Sequence, residues 1–157
     1  MRANFWKSSY IVVAVIIAVG FGGCSDVLGI DGLGITITFS DSVVTPGQPV
    51  TVTVTAMNLG DSVAWGRGSS SCQLGALALM GTDEHRIDVA RLCTEDLITQ
   101  GLARGESITE QWEWAGEAEI NGVTICLLPN AYEIVAVAGT AYRSEPRVIR
   151  VGTDESP

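Results

Sequence analysis

The chain has 157 residues, a length that fits one domain of ordinary size together with a targeting segment. Its formal charge is -9 at pH 7, and Lys7 is its only lysine. A surface this acidic repels phosphate backbones, so the composition argues against nucleic-acid binding. An acidic surface that keeps the domain soluble is the simplest explanation of the charge.

The amino-terminal residues carry the strongest pattern in the chain. Arg2 and Lys7 form a short basic start, an uncharged apolar run follows over residues 11–21, and two glycines precede Cys24. This order of basic, apolar and small residues is typical of a secretory signal. The apolar run is about half of the ~20 residues that a stable membrane-spanning helix needs, so a permanent anchor is the weaker alternative.

Residues 21–24, with the sequence FGGC, resemble a bacterial lipobox in which phenylalanine replaces the usual leucine. The resemblance implies that residues 1–23 are removed and that the Cys24 thiol receives a diacylglycerol, while fatty acids such as palmitate acylate the new amino terminus. Ordinary signal cleavage nearby and an uncut anchor are the alternatives. Because several acyl chains hold a protein firmly at a bilayer, we expect an extracytoplasmic protein tethered through residues 24–33. In a Gram-negative cell, Ser25 after the cysteine would imply the outer membrane.

Three further cysteines would then lie in an oxidising compartment: Cys72, Cys93 and Cys126. They allow one disulfide and one remaining thiol, and spacing alone leaves three pairings open. Polar, loop-like surroundings favour a Cys72–Cys93 bond, whereas the apolar run around Cys126 favours a small buried side chain. Zinc binding by these thiols with His85 is an alternative that no C-x-x-C pairing supports.

Alternation of apolar and polar residues with a period of two dominates the following chain and predicts strands with one buried face. The pattern is clearest at residues 50–55, after a Pro46-Gly47 pair placed for a type II turn. Trp112 and Trp114 share one side of a later strand. Residues 81–84 are predicted as a hairpin tip and residues 116–122 as a loop.

Turn signals roughly every 8–12 residues, and about seven or eight strands in all, indicate an antiparallel β-sandwich. We assign this domain to residues 34–152 and expect a disordered tail over residues 153–157. Tyr132 stands two residues before an inward position of the penultimate strand, where immunoglobulin-like sandwiches carry a tyrosine corner, and this favours an immunoglobulin-like β-sandwich. A plain strand tyrosine is the alternative.

Four stretches resemble the bacterial intracellular proteinase inhibitor (BsuPI) type of immunoglobulin-like domain and its secreted relatives. They are TVTVTAMN at residues 51–58, LARGES at 102–107, WEW at 112–114, and LP with YEI between 128 and 134. Arg104 stands where the family usually has proline, and Ala131 where it usually has glycine. The matching residues are turn and core positions, so the resemblance implies a sandwich and carries over no inhibitory residue.

The sequence offers no convincing active site. His85 is the only histidine, no G-x-S-x-G motif accompanies it, and its predicted loop is open to water. Oxygens of Asp83, Glu84 and Asp88 could hold calcium, but the EF-hand pattern is missing. Glutamates near the two tryptophans would suit a sugar-binding site, although the alternation places both indoles in the core.

We therefore expect a non-catalytic protein-interaction domain that needs no cofactor and binds an envelope protein. It would present loops or an edge strand to that partner. The candidate interaction residues are Arg67, Asp83, Glu84, His85 and Arg86. Inhibition of an extracytoplasmic protease by an exposed loop is the main alternative, with residues 66–75 and 81–86 as the candidate loops. A carbohydrate-binding module that uses Trp112 or Trp114 is a third.

Overall fold

A computed structural model describes residues 32–60, 63–68, 71–89, 91–95, 98–139 and 142–152, with residues 63–68 and 98–100 described by their backbone alone. The predicted signal, Cys24 and the carboxy-terminal tail lie outside these residues. The described chain consists of β-strands joined by turns and irregular segments, which confirms the all-β class predicted from the alternation. None of its segments forms a helix long and apolar enough to cross a membrane.

The described part of the chain forms thirteen strands, more than the seven or eight expected, because several short strands accompany the long ones. The strands are β1 (Leu33–Phe39), β2 (Val43–Val44), β3 (Val50–Asn58), β4 (Val63–Gly68), β5 (Leu74–Met80), β6 (Asp83–Arg86), β7 (Ile98–Leu102), β8 (Ser107–Trp114), β9 (Glu117–Ile120), β10 (Val123–Cys126), β11 (Asn130–Ala138), β12 (Tyr142–Arg143) and β13 (Arg147–Val151).

Two main sheets form the sandwich. The smaller has the order β1-β3-β8 and is antiparallel throughout. The larger has the order β10-β9-β6-β5-β11-β13-β2, with β12 paired to β11. Within it only β13 and β2 run parallel. A separate two-stranded ribbon joins β4 to β7.

The core lies between the two sheets and follows from the alternation in each strand. Val52, Val54 and Ala56 of β3 are fully buried, while the threonines between them are half-buried. The facing strands β5 and β11 contribute small alanines to the same buried cluster that holds the indoles of Trp112 and Trp114 on β8. Trp112 is 8% exposed and Trp114 is 2% exposed, so the prediction that both are core residues is confirmed.

Two local predictions, the type II turn at Pro46-Gly47 and the tyrosine corner, are confirmed. The Gln48 amide donates to the Thr45 carbonyl at 2.9 Å and Gly47 has a φ of 78°, which is the type II geometry. The Tyr132 hydroxyl donates to the Leu128 carbonyl at 2.8 Å. This is a tyrosine corner at the start of β11, so the immunoglobulin-like class rests on a specific hydrogen bond as well as on the sheets.

The predicted loop over residues 116–122 was wrong. Residues 117–120 form β9, and the turn is limited to Asn121 and Gly122, whose φ angles are 53° and 76°. Positive φ at both central residues is the requirement of a type I′ hairpin turn, for which Asn-Gly is the preferred pair. The chain returns as β10, and this hairpin extends the larger sheet by two strands.

Candidate interaction surface

The β9–β10 hairpin is firmly attached at its base. Trp114 donates from its indole nitrogen to the Glu117 carbonyl at 2.7 Å, and the Leu127 amide donates to the Gly116 carbonyl at 2.8 Å. Arg86 of β6 pairs with Glu119 of β9 in the sheet. The hairpin therefore forms the end of the larger sheet, with β10 outermost.

Strand β10 pairs only with β9 among the described residues, and all four of its side chains are exposed. Val123 is 59% exposed and Ile125 is 40% exposed. Natural proteins commonly protect an exposed edge with charged residues or proline, because its unpaired backbone groups recruit other strands. The VTIC sequence of β10 contains neither.

The two faces of the hairpin differ in chemistry. Directly opposed residues of an antiparallel pair share a face. Val123 opposes Ile120 and Ile125 opposes Ala118, which gives an apolar face that continues into the core through the fully buried Ala118. On the other face, Thr124 and Cys126 oppose the half-buried carboxylates Glu119 and Glu117.

Cys126 is a free, exposed thiol on this outer strand, so the prediction of a small buried side chain was wrong. The apolar run ICLL suggested a core position, but an edge strand can hold apolar residues without covering them. The Cys72–Cys93 disulfide is present, which confirms the predicted pairing. The bond joins the segment just before β5 to the segment that follows Arg91. The same two segments are also joined by the Ser71 amide, which donates to the Thr94 carbonyl at 2.9 Å.

The predicted interaction residues occupy two strands rather than loops. The turn after β5 is confined to Gly81 and Thr82, and all four residues from Asp83 to Arg86 belong to β6, between β5 and β9. His85 is half-buried opposite Ala78, so the prediction of a solvated loop histidine was wrong. The backbone of Arg67 lies in β4, next to a bulge in its pairing with β7.

Glu84 and Arg86 face outward and each forms an ion pair. The Arg143 guanidinium on β12 donates through both terminal nitrogens to the Glu84 carboxylate, one bond being 2.8 Å long. This contact holds the pKa of Glu84 below, and that of Arg143 above, its ordinary value. The pair reaches from β6 to β12 across β5 and β11. Val135 of β11 lies on this outer face, away from the core, yet it is only 5% exposed. The Arg143–Glu84 bridge thus closes part of the outer face.

Arg86 donates to both oxygens of Asp88, at 3.1 and 3.2 Å, and this bond raises the pKa of the guanidinium. Asp88 is 5% exposed and lies directly over Gly75, where an added Cβ would stand 3.0 Å from a carboxylate oxygen. Arg86 and Arg143 flank an open groove of about 490 Å³ floored by this part of β5. Each guanidinium already has a carboxylate partner, so the groove does not present an uncompensated cation.

A third ion pair lies inside the sandwich. The Arg91 guanidinium contacts the Glu110 carboxylate, donates to the Leu74 carbonyl, and stacks 4.6 Å from the centre of the Trp112 ring. Glu110 also accepts from the backbone amides of Gln73 and Leu74 at 2.9 and 3.3 Å. Asp88 completes the cluster 3.8 Å from Arg91. These groups hold the disulfide-linked segment to β8, which is a structural role.

Among the described residues, no group of three histidine, cysteine, aspartate or glutamate side chains could hold a metal ion. The suggested calcium set does not converge, because Glu84 binds Arg143 and Asp88 binds Arg86. Sequence reasoning missed the β10 edge. The Asn121-Gly122 pair between two short period-two stretches was the signal that predicts it.

No protein-family model and no curated protein matches the chain. Among solved structures, it is similar to a β-glucosidase from Listeria innocua in complex with gluconolactone, with 12% identity, a TM-score of 0.42, and coverage of 77% of this chain and 16% of that one. The β-glucosidase EmGH1 from Erythrobacter marinus gives 12% identity, a TM-score of 0.44, and coverage of 76% and 15%. The alkylpurine DNA glycosylase AlkC from Pseudomonas fluorescens, bound to DNA containing an abasic site analog, gives 9% identity, a TM-score of 0.44, and coverage of 78% of this chain and 31% of that one. The chain thus spans less than a third of the length of each of these proteins.

Proposed function

We propose that this protein is a non-catalytic interaction domain, anchored through acylated Cys24 to the outside of a bacterial membrane, that binds an envelope protein. The observation that carries the proposal is the exposed edge of β10, with Val123 and Ile125 open to solvent. Backbone groups at such an edge bind an extended segment of a partner, and the side chains beside them select it.

Two further observations support the location. The basic, apolar and small residues before Cys24 have the order of a lipoprotein signal. The Cys72–Cys93 bond is of the kind that persists in secreted and envelope proteins and is rare in the cytosol. An anchored domain of this kind would present its strand edge to partners within reach of its tether.

The proposal is tested by photocrosslinking in the native membrane, with a benzophenone amino acid introduced at Thr124 of the full chain. The matched control carries the same group at Gln111, which is exposed on the outer face of the smaller sheet. We expect one protein species to be linked at Thr124 and not at Gln111. Equal labelling at both positions, or none at either, would contradict a partner at this edge.

A further inference from the structure

We infer that the β10 edge binds an extended segment in which apolar residues alternate with basic ones. The inference rests on the proposed function and deepens it, because it names the chemistry of the partner at the same edge. Its support comes from the direction of the backbone groups, the two faces of the hairpin and the charge of the chain.

The backbone of β10 presents two residues to a new strand. The Leu127 amide bonds inward to Gly116. In an antiparallel ladder the bonding direction alternates, so Val123 and Ile125 also bond inward to β9, while the amide and carbonyl groups of Thr124 and Cys126 point outward. An added strand can therefore form main-chain hydrogen bonds to both residues without disturbing the hairpin.

The faces of the hairpin then determine which side chains fit. On one face, apolar side chains of the added strand would cover Val123 and Ile125, which are 59% and 40% exposed. On the other face, the added side chains lie beside Thr124 and Cys126, with Glu119 and Glu117 one strand further on. Adjacent strands are ~4.8 Å apart, so those carboxylates lie roughly 10 Å from the new backbone. A lysine or arginine side chain can reach across this distance along the threonine.

A second copy of the chain fits this edge less well than a basic partner does. Each copy has a formal charge of -9, and pairing β10 with β10 would add the Glu117 and Glu119 face of one copy to that of the other. Like charges on one face repel. VTIC offers no cation, and Arg86, which lies beside Glu119 on β6, is already bonded to Asp88. The charge pattern selects a partner of opposite sign.

The test measures binding of a short blocked peptide of alternating valine and lysine to the full chain in nonionic detergent. We expect Thr124→Pro to weaken binding at least about tenfold, because proline removes an outward amide and leaves the inward ladder intact. Thr124→Val keeps the amide and should bind within about twofold of the original. A valine–glutamate peptide should bind at least about tenfold more weakly.

A matched pair of charge variants separates the acidic face from general attraction to an acidic protein. Glu117→Gln should weaken the valine–lysine peptide about threefold, whereas Glu145→Gln, an exposed residue beyond β12, should leave it unchanged. If Thr124→Pro fails to fold, amide exchange decides instead. Peptide binding should then protect the Thr124 and Cys126 amides of the unmodified chain more than those of β1.

Three results would overturn the inference. The variants Thr124→Pro and Thr124→Val could bind the valine–lysine peptide equally, the unmodified chain could bind the two peptides equally, or peptide binding could leave the Thr124 amide unprotected. A dimer in sedimentation that Thr124→Pro dissociates would also overturn it, because the edge would then belong to a second copy. If photocrosslinking finds a partner at Thr124 but the peptides fail, the inference falls and the proposed function stands. If the peptides bind but membranes yield no crosslinked partner, the proposed function falls.

Discussion

Replacing Glu110 by leucine should reveal how far the buried ion pair determines stability. The Glu110 and Arg91 side chains are 13% and 10% exposed, and Glu110 also accepts the amides of Gln73 and Leu74. The substitution removes the nearest counter-charge of Arg91 and an acceptor for two backbone amides. It leaves Asp88, 3.8 Å away, as the remaining ionic partner of Arg91.

Removing one partner of a buried ion pair costs about 3–5 kcal/mol, because the other charge stays desolvated. The remaining contact with Asp88 places the expected loss of unfolding free energy near 3 kcal/mol, the lower end of that range. The double variant Glu110→Leu with Arg91→Met should be more stable than Glu110→Leu alone, since it also removes the buried guanidinium that has lost its nearest carboxylate.

Urea unfolding followed by the fluorescence of the buried tryptophans measures these free energies, with the disulfide kept oxidised. Glu113→Gln is the matched control, because Glu113 lies on the same strand with its side chain exposed. It should change stability by less than about 0.5 kcal/mol. A loss for Glu110→Leu as small as that of the control would refute the argument that this carboxylate anchors the cluster.

Three further predictions concern other parts of the fold. Asn58→Ala should lower the unfolding free energy by about 2–3 kcal/mol in urea unfolding. The buried Asn58 side chain donates to the Leu102 carbonyl and accepts from the Gly60 amide, both at 2.9 Å, and alanine removes both bonds. A loss under about 0.5 kcal/mol would contradict this prediction. Arg104→Pro should raise thermal stability by about 0.4–1 kcal/mol, because residue 104 precedes a glycine with φ of 79° in a type II turn, and a lower melting temperature would show that the turn differs. Carboxyl NMR should give Glu84 a pKa below its ordinary value of 4.5, because Arg143 bonds the charged carboxylate. The contribution of this ion pair to stability is then complete above pH 4.5 and is lost as the pH falls through the lowered pKa. Arg143→Met should abolish the pKa shift.

The parts of the fold that sequence predicted are those fixed by local pattern. The threonine–valine alternation of β3 sets its faces, because one side meets the core and the other meets water. Pro46 and Gly47 impose their turn through backbone angles alone. Tyr132 needed only a strand start and a nearby carbonyl to form its corner.

The parts that sequence missed depend on the packing of distant segments. Strand β5 reads as a continuous apolar run because its outer face is partly covered by the Arg143–Glu84 bridge, whose residues are 59 positions apart. Arg91 and Glu110 lie on different elements, and nothing local pairs them. Cys126 is apolar in context but lies on an edge strand, so burial could not be judged from its neighbours. Strand β10 is the exception, because the local Asn121-Gly122 pair indicates its hairpin.

The measurement that tests the central claim most directly is the mass of the amino-terminal peptide of the native protein, extracted from the membrane of the cell that makes it. An anchored envelope domain predicts a peptide that begins at Cys24 and carries a diacylglycerol on its thiol and a fatty acid on its amino group. A peptide that still begins at Met1, recovered from the soluble cytosolic fraction without lipid, would contradict the proposed location and the class of partner that follows from it.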